Sequence, residues 1–367
     1  MQPYVPEPLP LASLDYGRII RKIGPANAAL ARYDGLLQSV PNSAGMLSPL
    51  TEREAVLSSK IEGTQATVDE VLEYQAGMLF DVEKTKDIQE IVNYREALTR
   101  ATEALANRPL SLSLIKEMHA VLMNSVRGAN KSPGQFRVEQ NWLGAEGCTI
   151  EQATFVPPSP LQLPGYLEDF ETYLKLNDVD PLIQTAVVHA QFELLHPFKD
   201  GNGRIGRLMI PLFLFSKSTL SQPMFYLSDY LESNRDLYYA RLRGISANGD
   251  WNAWVEFFLD ALIEQARTNT ERVKGMLELN KRMKMEIREL LRSQHSGAVL
   301  DALFDRPVFS SASFIQRLGV PKPTATRFLS LLVKHGTLTI LRSRSGSQPA
   351  VYAFPELLNC AEGRKVL

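Results

Sequence analysis

The stretch His196-Pro-Phe-Lys-Asp-Gly-Asn-Gly-Arg-Ile-Gly-Arg207 decides the reading of this chain. It brings an imidazole, a carboxylate, two glycines around an asparagine, and two arginines into one short loop. Gly201, Asn202 and Gly203 can take backbone angles closed to bulkier residues, so their N–H groups can turn toward a single anion where a helix begins. Arg204 and Arg207 are three apart, which puts them on one face of that helix's first turn, and guanidinium forks suit the outer phosphates of a nucleotide. Asp200 supplies a hard oxygen ligand beside this nest, the kind that binds Mg²⁺ jointly with substrate phosphates. His196 ends the preceding helix and, with an unperturbed pKa of about 6.5, is the candidate general base. Taken singly, a His-Pro-Phe is a helix end and a Gly-Asn-Gly is a turn. Core packing gives no reason to join them to a carboxylate and two arginines, so together they read as a phosphate-handling site.

Working outward, Asp180-Pro181 opens a helix whose Ile183, Ala186, Val187, Ala190 and Leu194 form a buried stripe leading to His196. His189 lies two turns before His196, about 10 Å along a helix, too far to share a metal, and reads as structural. After the loop, Ile205 to Phe215 is apolar almost all round and predicts a central helix, with Pro211 removing a donor to the Arg207 carbonyl. Upstream, Leu112 to Val126 predicts a helix ending toward Gly128, with His119 as a packing residue. Val138 to Leu143, a glycine-bearing tip and Ala153 to Val156 predict a β-hairpin, whose free edge could bind a peptide by strand addition. Thr51-Glu-Arg-Glu54 has the pattern of a capping box and Gly63 is a stop signal, predicting a helix over Glu52 to Glu62 with Ser58 and Glu62 on one face.

Composition narrows the classes. The 367 residues are 44% hydrophobic, enough for cores in two or three units. Only Cys148 and Cys360 occur, which excludes a disulfide scaffold and fits a reducing cytoplasm. The opening MQPYVPEPLP lacks the basic and apolar runs of a signal peptide, and the most apolar stretch, Leu208 to Phe215, is far below the ~20 residues of a membrane span. No membrane partner is expected. Net charge is −1, yet residues 284–355 hold ten Lys/Arg against four Asp/Glu, a local +6 that leaves −7 elsewhere. There, Ser311 to Leu318 and Thr324 to His335 read as two helices about a turn, followed by a hairpin of Leu338 to Arg344 and Val351 to Phe354. That order resembles a winged helix, with Arg342 and Arg344 at the wing, and makes DNA a candidate partner.

The loop matches at every specified position the HPFxDGNGRxxR signature of Fic-domain proteins, and the chain is similar to that family most strongly over residues 50–260. The resemblance implies an all-α core with a small β-hairpin flap (136–158) that holds a target segment, beside a C-terminal winged-helix α+β domain. The expected organisation is an N-terminal helical region (1–108), a catalytic core (109–275) and the winged helix (276–367). It further implies transfer of AMP from ATP to a Ser, Thr or Tyr hydroxyl of a target protein, the chain itself included, with His196 as base and Mg²⁺ on Asp200. Gly201, Asn202, Gly203, Arg204, Ile205, Gly206 and Arg207 would bind the nucleotide, Asn202 touching the α- or β-phosphate and Asn234 the base or ribose. Ser58-Ser-Lys-Ile-Glu62-Gly63 resembles the family's inhibitory motif: Glu62 would pair with Arg207, which the γ-phosphate also needs. A homodimer stays open, as do two other functions: a DNA-binding regulator with a nucleotide-sensing core, and an enzyme that removes AMP.

Overall fold

The computed structural model describes residues 2–124, 130–145 and 147–366, so the expected helix end near Gly128 and part of the flap tip lie outside the described residues. The helices are α1 (Tyr16–Gln38), α2 (Ser43–Met46), α3 (Ser48–Ile61), α4 (Val68–Gln75), α5 (Val82–Leu105), α6 (Leu112–Leu122), α7 (Leu163–Lys175) and α8 (Pro181–Leu195). They continue as α9 (Asn202–Ser216), α10 (Ser228–Ser233), α11 (Arg235–Asn248), α12 (Trp251–Leu291), α13 (Ser296–Asp305), α14 (Ser311–Leu318), α15 (Lys322–His335) and α16 (Pro355–Glu362). The strands are β1 (Val308–Ser310), β2 (Thr339–Arg342) and β3 (Val351–Ala353). The chain divides into two compact units that are discontinuous in sequence. One gathers Met1–Asp34, Leu57–Gly63 and Val92–Arg267, and the other Gly35–Val56, Thr64–Ile91 and Thr268–Leu367. The N-terminal 108 residues are thus apportioned between both.

The first unit is helical and built on the pair α8 and α9. Asp180 caps α8 by accepting from the N–H groups of Leu182 and Ile183 at 2.8 and 3.2 Å, and Pro181 sits at the first helical position, where its missing donor costs nothing. Both helices are buried almost all round, so their polar side chains need internal partners: Gln184 donates to the carbonyls of Tyr173 and Leu176, and Trp254 donates to that of Ala186. Phe192, Phe198, Phe213, Trp254 and Phe258 are fully buried, each contributing about 1.5–3 kcal/mol by leaving water. α9 runs on through Pro211 to Ser216.

Two local expectations change. α3 starts at Ser48, before Thr51, because Pro49 fits the first turn of a helix. The capping box forms instead at Thr67 and Glu70, opening α4. Gly63, at φ 99°, does end the turn after Ile61. The flap is not a regular hairpin either. Its halves share a single bridge, Leu143 to Phe155, across a short 3₁₀ turn at Ile150–Gln152. Residues 137–141 spend their polar groups elsewhere: Gln140 donates to the Pro157 carbonyl and Asn141 to that of Phe198, which replaces ladder pairing with anchoring. Tyr4 N–H donates to the Val156 carbonyl at 2.8 Å, so part of the second half is already paired.

In the second unit the strands form one antiparallel sheet in the order β1-β3-β2, with Val308 and Thr339 both opposite Ala353 and an irregularity between Ile340 and Arg342. Val308, Val351 and Ala353 pack with Leu72, Ala76 and Leu358, so α4 and α16 cover the sheet. α15 begins at Lys322, two residues earlier than its sequence suggests, with Pro323 in the first turn. Gly319 and Gly336, at φ 64° and 86°, close α14 and α15 in the left-handed conformation.

Candidate active site

His196 leaves α8 in the left-handed region, φ 46° and ψ 57°, which costs a β-carbon residue about 1–2 kcal/mol and turns the chain sharply into the loop. Gly201, at φ 76°, makes the opposite turn into α9. Asn202 and His119 hold the loop between these points. Asn202 accepts from the Phe198 N–H at 2.8 Å and donates to the Phe198 carbonyl at 2.9 Å. Its amide is therefore committed to closing the loop, a different use from the expected phosphate contact. His119 accepts from the Gly134 N–H through Nδ1 at 2.9 Å, so its proton is on Nε2, which donates to the Asp200 carbonyl at 3.0 Å. The His119 ring also stacks on Phe198 at 3.7 Å. His189 donates from Nδ1 to the Gly206 carbonyl at 3.0 Å, leaving Nε2 to accept from the Tyr238 hydroxyl at 3.0 Å, and so joins α8, α9 and α11. Burial pushes His119 down to about 4 and His189 to about 3, so both are neutral supports.

The His196 ring sits at 3.2 Å from the Glu193 carbonyl through Nδ1, and a carbonyl can only accept. The proton is thus on Nδ1, and the Nε2 lone pair is the free acceptor. Burial lowers its pKa to about 4, against smaller opposing effects of the Glu193 carbonyl, Glu62 and Asp200. At neutral pH the imidazole is uncharged and able to take a proton.

On the second turn of α9, Arg207 is 2% exposed. Its Nε donates to Ser58 Oγ at 2.9 Å, and its Nη2 donates to the Ser58 carbonyl at 2.9 Å and to Glu62 Oε1 at 2.7 Å. Burial would raise the Glu62 pKa, but the charge and hydrogen bond of Arg207 outweigh it and hold the carboxyl below its ordinary value; Arg207 in turn is raised. A β-carbon at Gly203 would lie 2.1 Å from Glu62 Oε1 and 3.0 Å from Arg207 Nη1. The carboxylate therefore rests in the space that a glycine leaves open over the start of α9, where a helix N-terminus favours an anion. Arg204 is nearly buried and lies 3.7 Å from Asp200 Oδ1, which also accepts from the Gly201 N–H at 2.6 Å. The Asp200 side chain is half exposed, a hard ligand at the rim of the nest. Among the described residues no group of three His, Cys, Asp or Glu could hold a metal by itself. A cation there would need oxygens from a bound phosphate, which is how Mg²⁺ usually binds.

A cavity of about 440 Å³ opens beside His196, lined by Phe155 of the flap, Glu193, and Tyr239, Leu242, Arg243 and Ser246 of α11. Asn234 is not among its lining residues; it joins α10 to α11 and donates to the Tyr230 carbonyl at 2.9 Å. The lining residues recur every three or four positions, a spacing visible in the sequence as one face of a helix. Glu193 also escaped notice, although it is the one carboxylate in an apolar run before His196. Among the described residues its buried Oε1 has no hydrogen-bond partner, and burial raises its pKa to about 8 despite the nearby Arg207. Gly206 makes room for it, since a β-carbon there would meet Glu193 Oε1 at 2.2 Å. Arg137 is a third omission, a buried guanidinium at the start of the flap.

Two family models match in succession, the Fic/DOC family N-terminal region over residues 20–103 and the Fic/DOC family over 109–214, together more than half of the chain. A probable protein adenylyltransferase of Aquifex aeolicus is 25% identical over 196 residues, covering 52% of this chain and 56% of that protein. Protein adenylyltransferase Fic of Drosophila grimshawi is 26% identical over 304 residues, 80% of this chain and 54% of that one. The chain thus spans about half the length of these curated relatives. In fold it is similar to a Fic family protein from Desulfovibrio desulfuricans, with a TM-score of 0.59 at 20% identity over 96% of this chain and 98% of that one. It is also similar to a Fic domain containing signaling protein from Bacteroides thetaiotaomicron, with a TM-score of 0.54 at 21% identity over 68% and 97%. With its loop, its arginines and the helices that carry them in this arrangement, the chain belongs to the Fic/DOC family.

Proposed function

We propose that the protein transfers AMP from ATP to a hydroxyl of a protein segment held at the flap, and that Glu62 keeps it inactive. The observation that carries this reading is the pairing of a neutral His196, its Nε2 lone pair free, with an anion seat on α9 filled by the chain's own carboxylate. In the reaction, the target oxygen attacks the α-phosphorus, the bond to the β-phosphate oxygen breaks, pyrophosphate leaves, and His196 Nε2 takes the hydroxyl proton. Arg204 and Arg207 hold the phosphates, and the loop amides and helix terminus stabilise charge that develops on them. Asp200 and the phosphates would together hold Mg²⁺, which would offset charge on the leaving group. The 440 Å³ cavity between flap and α11 is the place for the nucleoside. Exposed Val138, Trp142 and Leu143 offer the target an apolar edge.

Glu62 and the γ-phosphate compete for the same guanidinium, so ATP enters with its α-phosphorus out of line while Glu62 stays. Both cysteines are free thiols, and no helix among the described residues is long and apolar enough to cross a membrane; a cytoplasmic setting suits the first of these. We read α13 to β3 as a winged helix, supported by its element order and by the strand order β1-β3-β2. A DNA-reading role has weaker support: Arg327 donates to the Leu291 carbonyl, and Arg342 to those of Gly77 and Pro349, so these cations are committed within the unit.

The test is incubation with Mg²⁺ and ATP labelled on the α- or the γ-phosphate, using wild type, Glu62→Gly and His196→Ala. Entry of α-label alone, increased by Glu62→Gly and abolished by His196→Ala, is expected. Entry of γ-label would mean phosphoryl transfer and refute the reading. Release of AMP from a previously modified protein, with no label entering any variant, would favour the reverse activity.

A further inference from the structure

Arg137 is 3% exposed, and among the described residues no carboxylate pairs with it. A buried guanidinium without a counter-charge is costly unless its donors are satisfied. Here four of its five N–H groups meet backbone carbonyls. Nε donates to the His196 carbonyl at 3.0 Å, Nη2 to those of Pro158 at 2.6 Å and Leu195 at 3.4 Å, and Nη1 to that of Glu139 at 3.2 Å. Its own N–H donates to the Pro197 carbonyl at 2.8 Å. Two of these acceptors belong to the end of α8, where a helix presents partial negative charge and welcomes a cation. The other two belong to the neck of the flap, at its start and its finish. Burial lowers the guanidinium only to about 10, so it stays charged at neutral pH.

The geometry points to Arg137 as the positioning residue that registers the flap against His196. This deepens the proposed AMP transfer, on which it rests, by naming what aligns the acceptor side of the reaction. His196 occupies a left-handed backbone conformation that its surroundings must impose, and Arg137 bonds that very residue's carbonyl. The same planar group ties the two ends of the flap together, so a hydroxyl carried by a segment on the flap edge is set at a fixed distance from Nε2. Lysine could supply the charge, but not the fork that reaches separate carbonyls at once. The nucleotide contacts of Arg204, Arg207 and the loop lie on α9, and none of them is made by Arg137.

The test uses the full chain carrying Glu62→Gly, with Arg137→Lys and Arg137→Gln added singly. Self-labelling from α-labelled ATP gives the rate, calorimetry with ATP and Mg²⁺ gives nucleotide affinity, and histidine NMR reports the His196 ring, assigned with His196→Gln. The expected result is a fall in labelling of about 10-fold for Lys and about 100-fold for Gln, the scale on which misplacement by an ångström acts. ATP affinity should stay within about threefold, and the His196 resonances should move while those of His295 and His335 do not. Labelling at the parent rate, or an equal loss of rate and ATP affinity with unmoved His196 resonances, would overturn the assignment. If the Glu62→Gly parent itself fails to label, self-modification is refuted, and the NMR and calorimetry still decide whether Arg137 sets His196. Should Arg137→Gln not fold, Arg137→Lys, which keeps the charge, carries the same three measurements.

Discussion

On the proposed reading, replacing Glu62 with glycine should raise AMP transfer and weaken the apo fold at once, because one carboxylate would serve both ends. In the structure it makes one 2.7 Å charge-assisted hydrogen bond to a guanidinium that is 2% exposed, while its own side chain is 36% exposed. Hydrogen bonds between charged groups are worth about 1.5–3 kcal/mol, and the partial exposure of Glu62 argues for the lower half of that range after solvent screening, roughly 2 kcal/mol. That is the advantage the γ-phosphate must overcome to seize Arg207, and at about 1.4 kcal/mol per tenfold it corresponds to a rise in labelling of about 30-fold. The same substitution leaves Arg207 buried with only Ser58 as partner, so the apo protein should lose a comparable amount of stability. ATP then restores it by mass action, and saturating ATP should raise the melting temperature more in Glu62→Gly than in wild type. Label incorporation and melting curves with and without ATP measure the two halves. A variant that labels no faster than wild type, or that gains no extra stabilisation from ATP, refutes the idea that Glu62 occupies the γ-phosphate seat.

Ser58→Ala removes the acceptor of Arg207 Nε while keeping the Ser58 carbonyl and Glu62, so activation of only about fivefold is expected, from a neutral acceptor worth about 1 kcal/mol; an effect as large as that of Glu62→Gly would contradict the ranking. Gly203→Ala should lower ATP affinity at least about tenfold even with Glu62→Gly, since a methyl then fills the seat over α9, and calorimetry showing unchanged affinity would place the phosphate elsewhere. Stability should peak near pH 6.5. Below it, His119, His189 and His196, all depressed in the folded state, let the unfolded chain bind more protons, each costing up to about 1.4 kcal/mol per unit as pH falls toward their folded values. Glu193, raised to about 8, acts oppositely, and its contribution is lost as pH rises from about 4.5 to 8; three histidines outweigh it in acid, and it dominates above 6.5. Urea unfolding across pH 5–8 should show both limbs, with Glu193→Gln flattening the upper one; a flat profile would count against the neutral histidines.

The loop was legible because its chemistry is local: His196, Asp200, the glycines and the arginines lie together in sequence, and helix punctuation at Asp180-Pro181 set the helix before them. Ser58 and Glu62 could be read as a pair because helical spacing puts them on one side, and the structure brings both to Arg207. What stayed hidden depends on partners distant in sequence. Arg137 shows nothing special in its own neighbourhood, since three of its four side-chain acceptors are carbonyls some twenty and sixty residues away. Asn234 is expected at the base or ribose from the family resemblance; its amide donates four residues back, while its neighbours Arg235 and Asp236, with Tyr239, Leu242, Arg243 and Ser246 further along α11, line the cavity. The flap reads as strand, glycine-bearing tip and strand, but side-chain anchors at Gln140 and Asn141 compete with strand pairing. Start signals at Thr51 and Thr324 lost to prolines slightly upstream or at the first turn, which fit helix starts as well as any cap.

These particulars converge on how the loop is kept in an unfavourable shape. A left-handed histidine costs about 1–2 kcal/mol, and such strain persists only where the surroundings over-determine it. Here Asn202 clips the loop from within, His119 holds the Asp200 carbonyl, His189 holds the Gly206 carbonyl, and Arg137 holds that of His196. Each support acts through a backbone carbonyl or N–H, so none takes up the Nε2 lone pair of His196. Of the two arginines proposed to hold phosphate, Arg207 is the one bonded to the Glu62 carboxylate. On the proposed reading the geometry for in-line attack would be set before ATP arrives, and activation would exchange one anion for another at α9. Regulation placed at that exchange would leave His196 and its supports undisturbed, so loss of the one carboxylate of Glu62 would be enough to release the site without rebuilding it.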